Sequence, residues 1–352
     1  MIQISRRAGW PRKSGIAVVS LRKVKSLSLA FTILGLLLGT LLIGWFGAAR
    51  IGETLMAVGW RGLMLVCAWQ MAMFVVLGAA WATIVPGRQL AIRCFVWGRM
   101  VRDAGGNCLP FSRLGGFALG VRAIVLAGLG WAAATATTIL DTTNEFLAQI
   151  LFMAVALAIL LAYVPNWPLA TPLAIALVAA LVAGVSFVAL QRRTGDALFG
   201  RLLDQISRRF FRNDTERLIV VQRELSRAAR NSGRLLRAIG LHLTGWIATG
   251  VAGWIGFHLV GVPIGLLPAL AIEGLLHGVL ALSFLVPGAL GVQEAAYIGL
   301  AAIFGVPAEA ALSVSLLRRA RDLALGIPIL LCWQFVELRR LRGRRSDAPG
   351  LP

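Results

Sequence analysis

Apolar runs about as long as a bilayer's hydrocarbon core is thick follow one another along most of this chain. They cover Leu27–Gly47, Gly62–Val85, Phe117–Leu140, Phe146–Val164, Leu169–Leu190, Ile239–Val260 and Ile264–Val286. Shorter pieces follow at Tyr297–Phe304, Ala308–Leu317 and Leu323–Glu337. Roughly 20 such residues in a helix cross the ~30 Å core of a membrane. The pattern predicts an all-α polytopic membrane protein. It reads as a helical bundle of about 8 spans in two pseudo-symmetric halves, with interrupted or re-entrant helices.

Polar residues concentrate between the runs and divide the chain. A basic tail, 1–26, precedes an integral membrane domain over 27–338. That domain splits into a first half of about 27–190, an arginine-rich loop over 191–237 and a second half over 238–338, before a basic tail at 339–352. The first apolar run is too long for the 7–15-residue core of a signal peptide, so it reads as an uncleaved helix. The loop holds twelve arginines against five acids. Its amphipathic spacing at Leu202, Leu203, Ile206, Phe210, Leu218, Val221 and Leu225 predicts helices lying on the cytoplasmic face. Arginines at 88, 93, 99, 102 and 113 interleave with Phe95, Trp97 and Met100 over 86–116. That alternation predicts an interfacial helix with its arginines toward lipid headgroups.

Composition sharpens the class. With 58% hydrophobic and 14% charged residues and a mean hydropathy of +0.80, the chain is far from the roughly 25% charged residues of soluble domains. Its net charge of +20 belongs with positive-inside bias and anionic headgroups rather than with nucleic acid. All the basic segments then belong on the cytoplasmic side. That orientation closes only if one segment is re-entrant, and 109–140 is the candidate because it carries a Pro/Gly break. Four scattered cysteines without a CxxC pair and three histidines without HExxH give no disulfide framework, metal site or cofactor motif.

Candidate chemistry centres on Ala281–Leu300, where an apolar helix meets Pro287-Gly288, turns to Gly291 and restarts with Gln293 and Glu294. An acid costs about 2.5–3.5 kcal/mol at the centre of a membrane helix. A broken helix beginning with one is therefore a functional candidate. Leu109–Arg122 carries a similar Pro, Leu-Gly, Gly-Val order, with Pro110 and Gly115 at the break and Arg122 in the place of Glu294. This predicts an internal repeat whose two breaks bring Arg122 and Glu294 into one polar site. Glu273 and His277 stand four apart on one helical face, and Arg318 and Arg319 precede the last run.

The segments VPGALGVQEAAY, LPFSRLGG with VRA, and LLRRARDLALGIPILLCWQ resemble the lysylphosphatidylglycerol synthase transmembrane (flippase-like) family. The likeness is to its hopanoid-biosynthesis-associated, HpnL-type branch, and it covers nearly the whole chain. The resemblance implies a bacterial inner-membrane bundle with both termini cytoplasmic, without a cofactor, that moves or handles lipids such as an anionic phospholipid or a hopanoid. The implied motif positions are Pro287, Gly288, Gly291 and Glu294, then Pro110, Gly115 and Arg122, then Arg318 or Arg319. No aminoacyltransferase domain follows the membrane region in this sequence, so synthesis of an aminoacylated lipid is not expected. The expectation is a non-enzymatic translocator. Two alternatives stay open: a membrane enzyme modifying headgroups through Glu273/His277 or Glu294, and a structural partner of lipid-synthesis enzymes. The oligomeric state is not specified.

Overall fold

A computed structural model describes residues 48–87, 90–108, 112–192, 215–283, 289 and 291–346. The run Leu27–Gly47, the tips Pro110 and Pro287-Gly288, much of the arginine loop and both chain ends lie outside the described residues. Among the described residues there are ten helices. They are α1 (Ala48–Ile84), α2 (Ile92–Cys108), α3 (Ser112–Ala127), α4 (Trp131–Tyr163), α5 (Ala170–Arg192), α6 (Thr215–Ala229), α7 (Ser232–Leu259), α8 (Leu266–Leu282), α9 (Val292–Ala302) and α10 (Ala308–Ser346). Among the described residues, four stretches are long and apolar enough to cross a membrane: Val58–Ile84, Trp131–Tyr163, Ala170–Ala189 and Ser232–Leu259. Gly115–Ala127 and Leu266–Leu282 are shorter apolar helices. This is a multi-pass architecture.

Local sequence explains most boundaries. Helix α4 runs 33 residues without a glycine or proline and stops before Pro165, where proline disfavours the helical conformation of its neighbour. Its threonines return their hydroxyls to carbonyls one turn back, as Thr138 does to Ala134 at 2.7 Å, which leaves no hydroxyl facing lipid unpaired. Gly128 (φ 115°) separates α3 from α4, and Gly305 (φ 73°) separates α9 from α10. Left-handed backbone of this kind favours glycine.

Three expectations change here. The run Phe117–Leu140 is divided at Gly128, whereas the expected gap between Leu140 and Phe146 is absent. Helix α4 passes through Asp141–Glu145 because that stretch has no breaker and its charged side chains find partners inside the bundle. Arg318–Asp322 likewise lies in the middle of the single helix α10 rather than before a last span. Within the basic segment 86–116, Arg93 is exposed, but two of the arginines expected to face headgroups turn inward. Arg99 and Arg102 in α2 are buried, because acids on α4 neutralise them.

Element order repeats along the chain. A long helix, a 17-residue helix, a short helix and a long helix make up α1–α4, and the same order makes up α7–α10, with α2 and α8 both 17 residues long. The packing repeats as well. α1 packs on α2 as α7 does on α8, α2 on α3 as α8 on α9, and α3 on α4 as α9 on α10. The two sets also cross over, with α2 on α10 matched by α8 on α4, and α1 on α10 matched by α7 on α4. Helices α1 and α7 pack against each other in antiparallel fashion. Gly62 lies by Leu259, Trp69 donates to the Ala248 carbonyl at 2.9 Å, and Leu77 lies by Gly245. Helices α5 and α6 sit outside this arrangement, against α4 and each other.

Candidate functional site: a charged cavity between two walls

Between the two sets of helices lies a cavity of about 690 Å³. One wall is built by α2 and α4 with His242 of α7, the other by α8 and α10, and Gln70, Phe74 and Trp246 close it from α1 and α7. Arginines from both walls face it, and fully or nearly buried carboxylates stand behind them.

On the first wall the Arg99 guanidinium forks onto Glu145 at 2.5 and 2.9 Å and its Nε donates to Asp103 at 3.0 Å. Arg102 donates to Asp141 at 2.7 Å and also to Glu145. Asp141 has no solvent exposure, and its other oxygen lies 2.9 Å from His242 Nε2. These side chains can meet because each pair is one helical turn apart, Arg99 with Asp103 on α2 and Asp141 with Glu145 on α4. Bidentate, charge-assisted contacts of this kind are the strong ones in a dry setting.

The second wall uses the same plan with the signs exchanged. Arg318 of α10 donates to Glu273 of α8 at 2.7 Å, and the Tyr297 hydroxyl donates to the other oxygen of Glu273. His277 Nδ1 donates to the Glu273 carbonyl at 2.7 Å, and its Nε2 accepts from Arg318 at 3.0 Å, which together require the neutral Nδ1–H tautomer. Room for Glu273 comes from Gly253, where a Cβ would stand 2.6 Å from its carboxylate oxygen. Arg99 and Glu273 are each the eighth residue of their helices, and Asp141 and Arg318 are each the eleventh of theirs. The ion pair Arg99–Asp141, at 3.7 Å, thus recurs as Glu273–Arg318 with its charges swapped.

Of the residues singled out from the sequence, the structure gathers Gln293, His277, Arg318 and Arg319 at the cavity. Gln293 is anchored to Ser315 Oγ at 2.9 Å. Glu294, 3% exposed in the first turn of α9, stands behind Arg319 and pairs with it. Arg319 also donates to the Ala289 carbonyl at 3.2 Å, tying down the turn that enters α9 through Gly291 (φ 74°). Arg122 does not join Glu294. It lies in the last turns of α3, pairs with Glu337 at 2.5 Å, and is half-exposed away from the cavity. The longer spacer after the first break carries it two turns further along its helix than Glu294 lies along α9. Gly115 meets no neighbour, whereas at Gly116 a Cβ would stand 2.4 Å from the Arg102 carbonyl, so Gly116 is the close approach of α2 and α3. Pro110, Pro287 and Gly288 lie outside the described residues.

Sequence reasoning missed Arg99, Arg102, Asp103, Asp141, Glu145 and His242. The usable signal was the four-residue spacing of charges in Arg99/Asp103 and Asp141/Glu145, within segments free of helix breakers.

Compared with known proteins, residues 32–329 match the family model described as "Lysylphosphatidylglycerol synthase TM region". No curated protein and no solved structure matches the chain.

Proposed function

We propose that this chain, which belongs to the lysylphosphatidylglycerol synthase TM region family, is a non-enzymatic lipid translocator of the bacterial inner membrane. The observation that carries the reading is the cavity itself: about 690 Å³, lined by arginines and acids of both helix sets, inside a bundle with an apolar exterior. Its size suits a polar headgroup, with the acyl chains or hopanoid rings left in the bilayer. The guanidiniums of Arg99, Arg318 and Arg319 line the cavity, and the guanidinium fork matches the geometry of a phosphate-bearing headgroup. We place the substrate among anionic phospholipids and hopanoids, in keeping with the motif resemblance to the hopanoid-associated branch.

The repeated element order supports an alternating-access mechanism. A two-fold operation that exchanges antiparallel α1 and α7 has its axis perpendicular to both helices, hence in the membrane plane. That is the arrangement of inverted-repeat transporters, whose sites lie near the midplane between the repeats. Helices α2 and α3, 17 and 16 residues, are ~25 Å long at 1.5 Å per residue, too short to cross singly. Read as a re-entrant pair entering from the cytoplasm, with α8 and α9 entering from the opposite side, they let the topology close. Both termini and 191–237 are then cytoplasmic, as positive-inside bias requires. Cysteine labelling should find the Gly128–Gly130 turn cytoplasmic and the Pro165–Trp167 turn outside; the reverse would discard this orientation.

Function is tested with purified protein in phosphatidylcholine vesicles carrying a fluorescent phosphatidylglycerol. Faster loss of fluorescence to an impermeant quencher, with an unchanged lipid mass spectrum, is the expected result. A mass change that requires Glu273 or His277, without redistribution, would replace the translocator by the headgroup-modifying enzyme.

A further inference from the structure

The two walls of the cavity differ in charge. The second sets Arg318, Arg319 and Arg321 against Glu273, Glu294 and Asp322, which balance. The first sets Arg99 and Arg102 against Asp103, Asp141 and Glu145, leaving one carboxylate in excess. An uncompensated charge at this depth is costly. Protonation of His242, which touches that wall through Asp141, would supply the missing positive charge.

Each wall has a buried histidine, and the two are wired differently. Both ring nitrogens of His277 are committed to contacts that need the neutral ring. His242, fully buried on α7, holds Asp141 through Nε2 at 2.9 Å, while its Nδ1 has no hydrogen-bond partner among the described residues. The residue lines the cavity. Facing it are Asp141 and Glu145 from α4, and Arg99, Arg102 and Asp103 from α2. Across the cavity stand His277 and Glu273 of α8, Glu294 of α9, and Arg318, Arg319, Arg321 and Asp322 of α10. The groups on the first wall carry one net negative charge, and the charged groups across the cavity sum to zero.

We infer that His242, held by Asp141, is a proton-binding site through which lipid movement is coupled to a proton gradient. This deepens the translocator reading and rests on it. The step is an acid–base exchange. Nδ1 takes a proton from hydronium, releasing water, and when the cavity faces the other side the N–H bond breaks as the proton passes to a water molecule there, forming hydronium. With the proton bound, the first wall is neutral and an anionic headgroup enters without facing a net negative charge. Without it, that headgroup is repelled. Proton and anionic lipid therefore move in the same direction.

Two measurements test this. The first needs no transport. The chain has three histidines, so ¹⁵N-histidine NMR of the purified protein gives few signals, assigned by the loss of one in His242→Gln. The His242 signals should pass from neutral to imidazolium as pH falls, while those of His277 keep the neutral Nδ1–H form. His242 signals that stay in the neutral form over the whole pH range in which the protein remains folded would overturn the proton site. The second uses the vesicles above with a pH difference across them. Labelled phosphatidylglycerol should accumulate in the leaflet facing the more alkaline side, and in His242→Gln the ratio of rates with and without the gradient should fall to unity. Accumulation toward the acidic side, an unaltered rate in the wild type, or gradient-driven accumulation that survives His242→Gln would overturn the coupling. Absence of redistribution under every condition would overturn both the coupling and the translocator reading, while a titrating His242 in the NMR experiment would leave the proton site standing.

Discussion

Removing Arg318 should be worse for the fold than removing Arg318 and its partner together. Glu273 is 1% exposed and has two side-chain partners, Arg318 at 2.7 Å and the Tyr297 hydroxyl. Arg318→Met leaves that carboxylate buried with the tyrosine alone, and Glu273→Gln leaves the guanidinium without its counter-ion. Breaking a buried pair from one side costs about 3–5 kcal/mol, whereas replacing both members by neutral groups of similar volume is often close to neutral. In the double variant, glutamine still accepts from Tyr297 and methionine fills the volume of the arginine stem. What remains is the lost donor to His277 Nε2, a hydrogen bond of about 1–2 kcal/mol. The expected interaction energy is therefore at least about 3 kcal/mol, near the top of what contacting residues show. At ~1.4 kcal/mol per tenfold, this is more than a hundredfold in the folded-to-unfolded ratio. Unfolding midpoints in detergent, followed by fluorescence-detected size exclusion, measure it. Additive losses, or single variants as stable as the wild type, would show that Glu273 does not depend on Arg318 and would refute this account of the second wall.

Three further outcomes follow from the geometry. Arg122→Gln and Glu337→Gln should each shift stability by no more than about 1 kcal/mol, since the pair is partly solvent-exposed, and should leave lipid redistribution unchanged in the vesicle assay. Glu294→Gln leaves Arg319 without its counter-ion and should lower the unfolding midpoint as Glu273→Gln does, and the protein that stays folded should lose redistribution because that arginine is no longer held by a charge. Full activity would remove Glu294 from the site. Gly116→Leu should lower abundance sharply, its Cβ falling 2.4 Å from the Arg102 carbonyl, while Gly115→Leu, which meets nothing, should be tolerated; equal abundance of the two would show that α2 and α3 do not pack as described.

How legible the molecule was in its sequence depended on which physical quantity each residue controls. Hydrophobic period and helix breakers act on the backbone, and they read out well. The restart of α9 at Gly291 with Glu294 in its first turn, the breaks at Pro165 and Gly305, and the helical register of Glu273 with His277 stand where the pattern put them. The charged wall of α2 and α4 did not read out, because a buried arginine and a headgroup-facing arginine look alike until their partners are placed. Arg99 and Glu145 are 46 residues apart, and nothing in either segment names the other. The polar interval Asp141–Glu145 resembled a loop for the same reason.

The misplaced match of Arg122 with Glu294 has a deeper cause. A search for similar residues in the two halves finds what the backbone repeats, the Pro/Gly breaks, and then pairs whichever charges lie nearest after them. At the cavity, similarity is the wrong criterion. Position eight is arginine in α2 and glutamate in α8, and position eleven is aspartate in α4 and arginine in α10. Each wall needs one positive and one negative partner, and it is indifferent to which helix supplies which. Exchanging the signs preserves the ion pair and destroys the residue match. Electrostatics therefore repeats the pair while the sequence hides it, and the site becomes visible only when helix positions, rather than residue identities, are laid side by side.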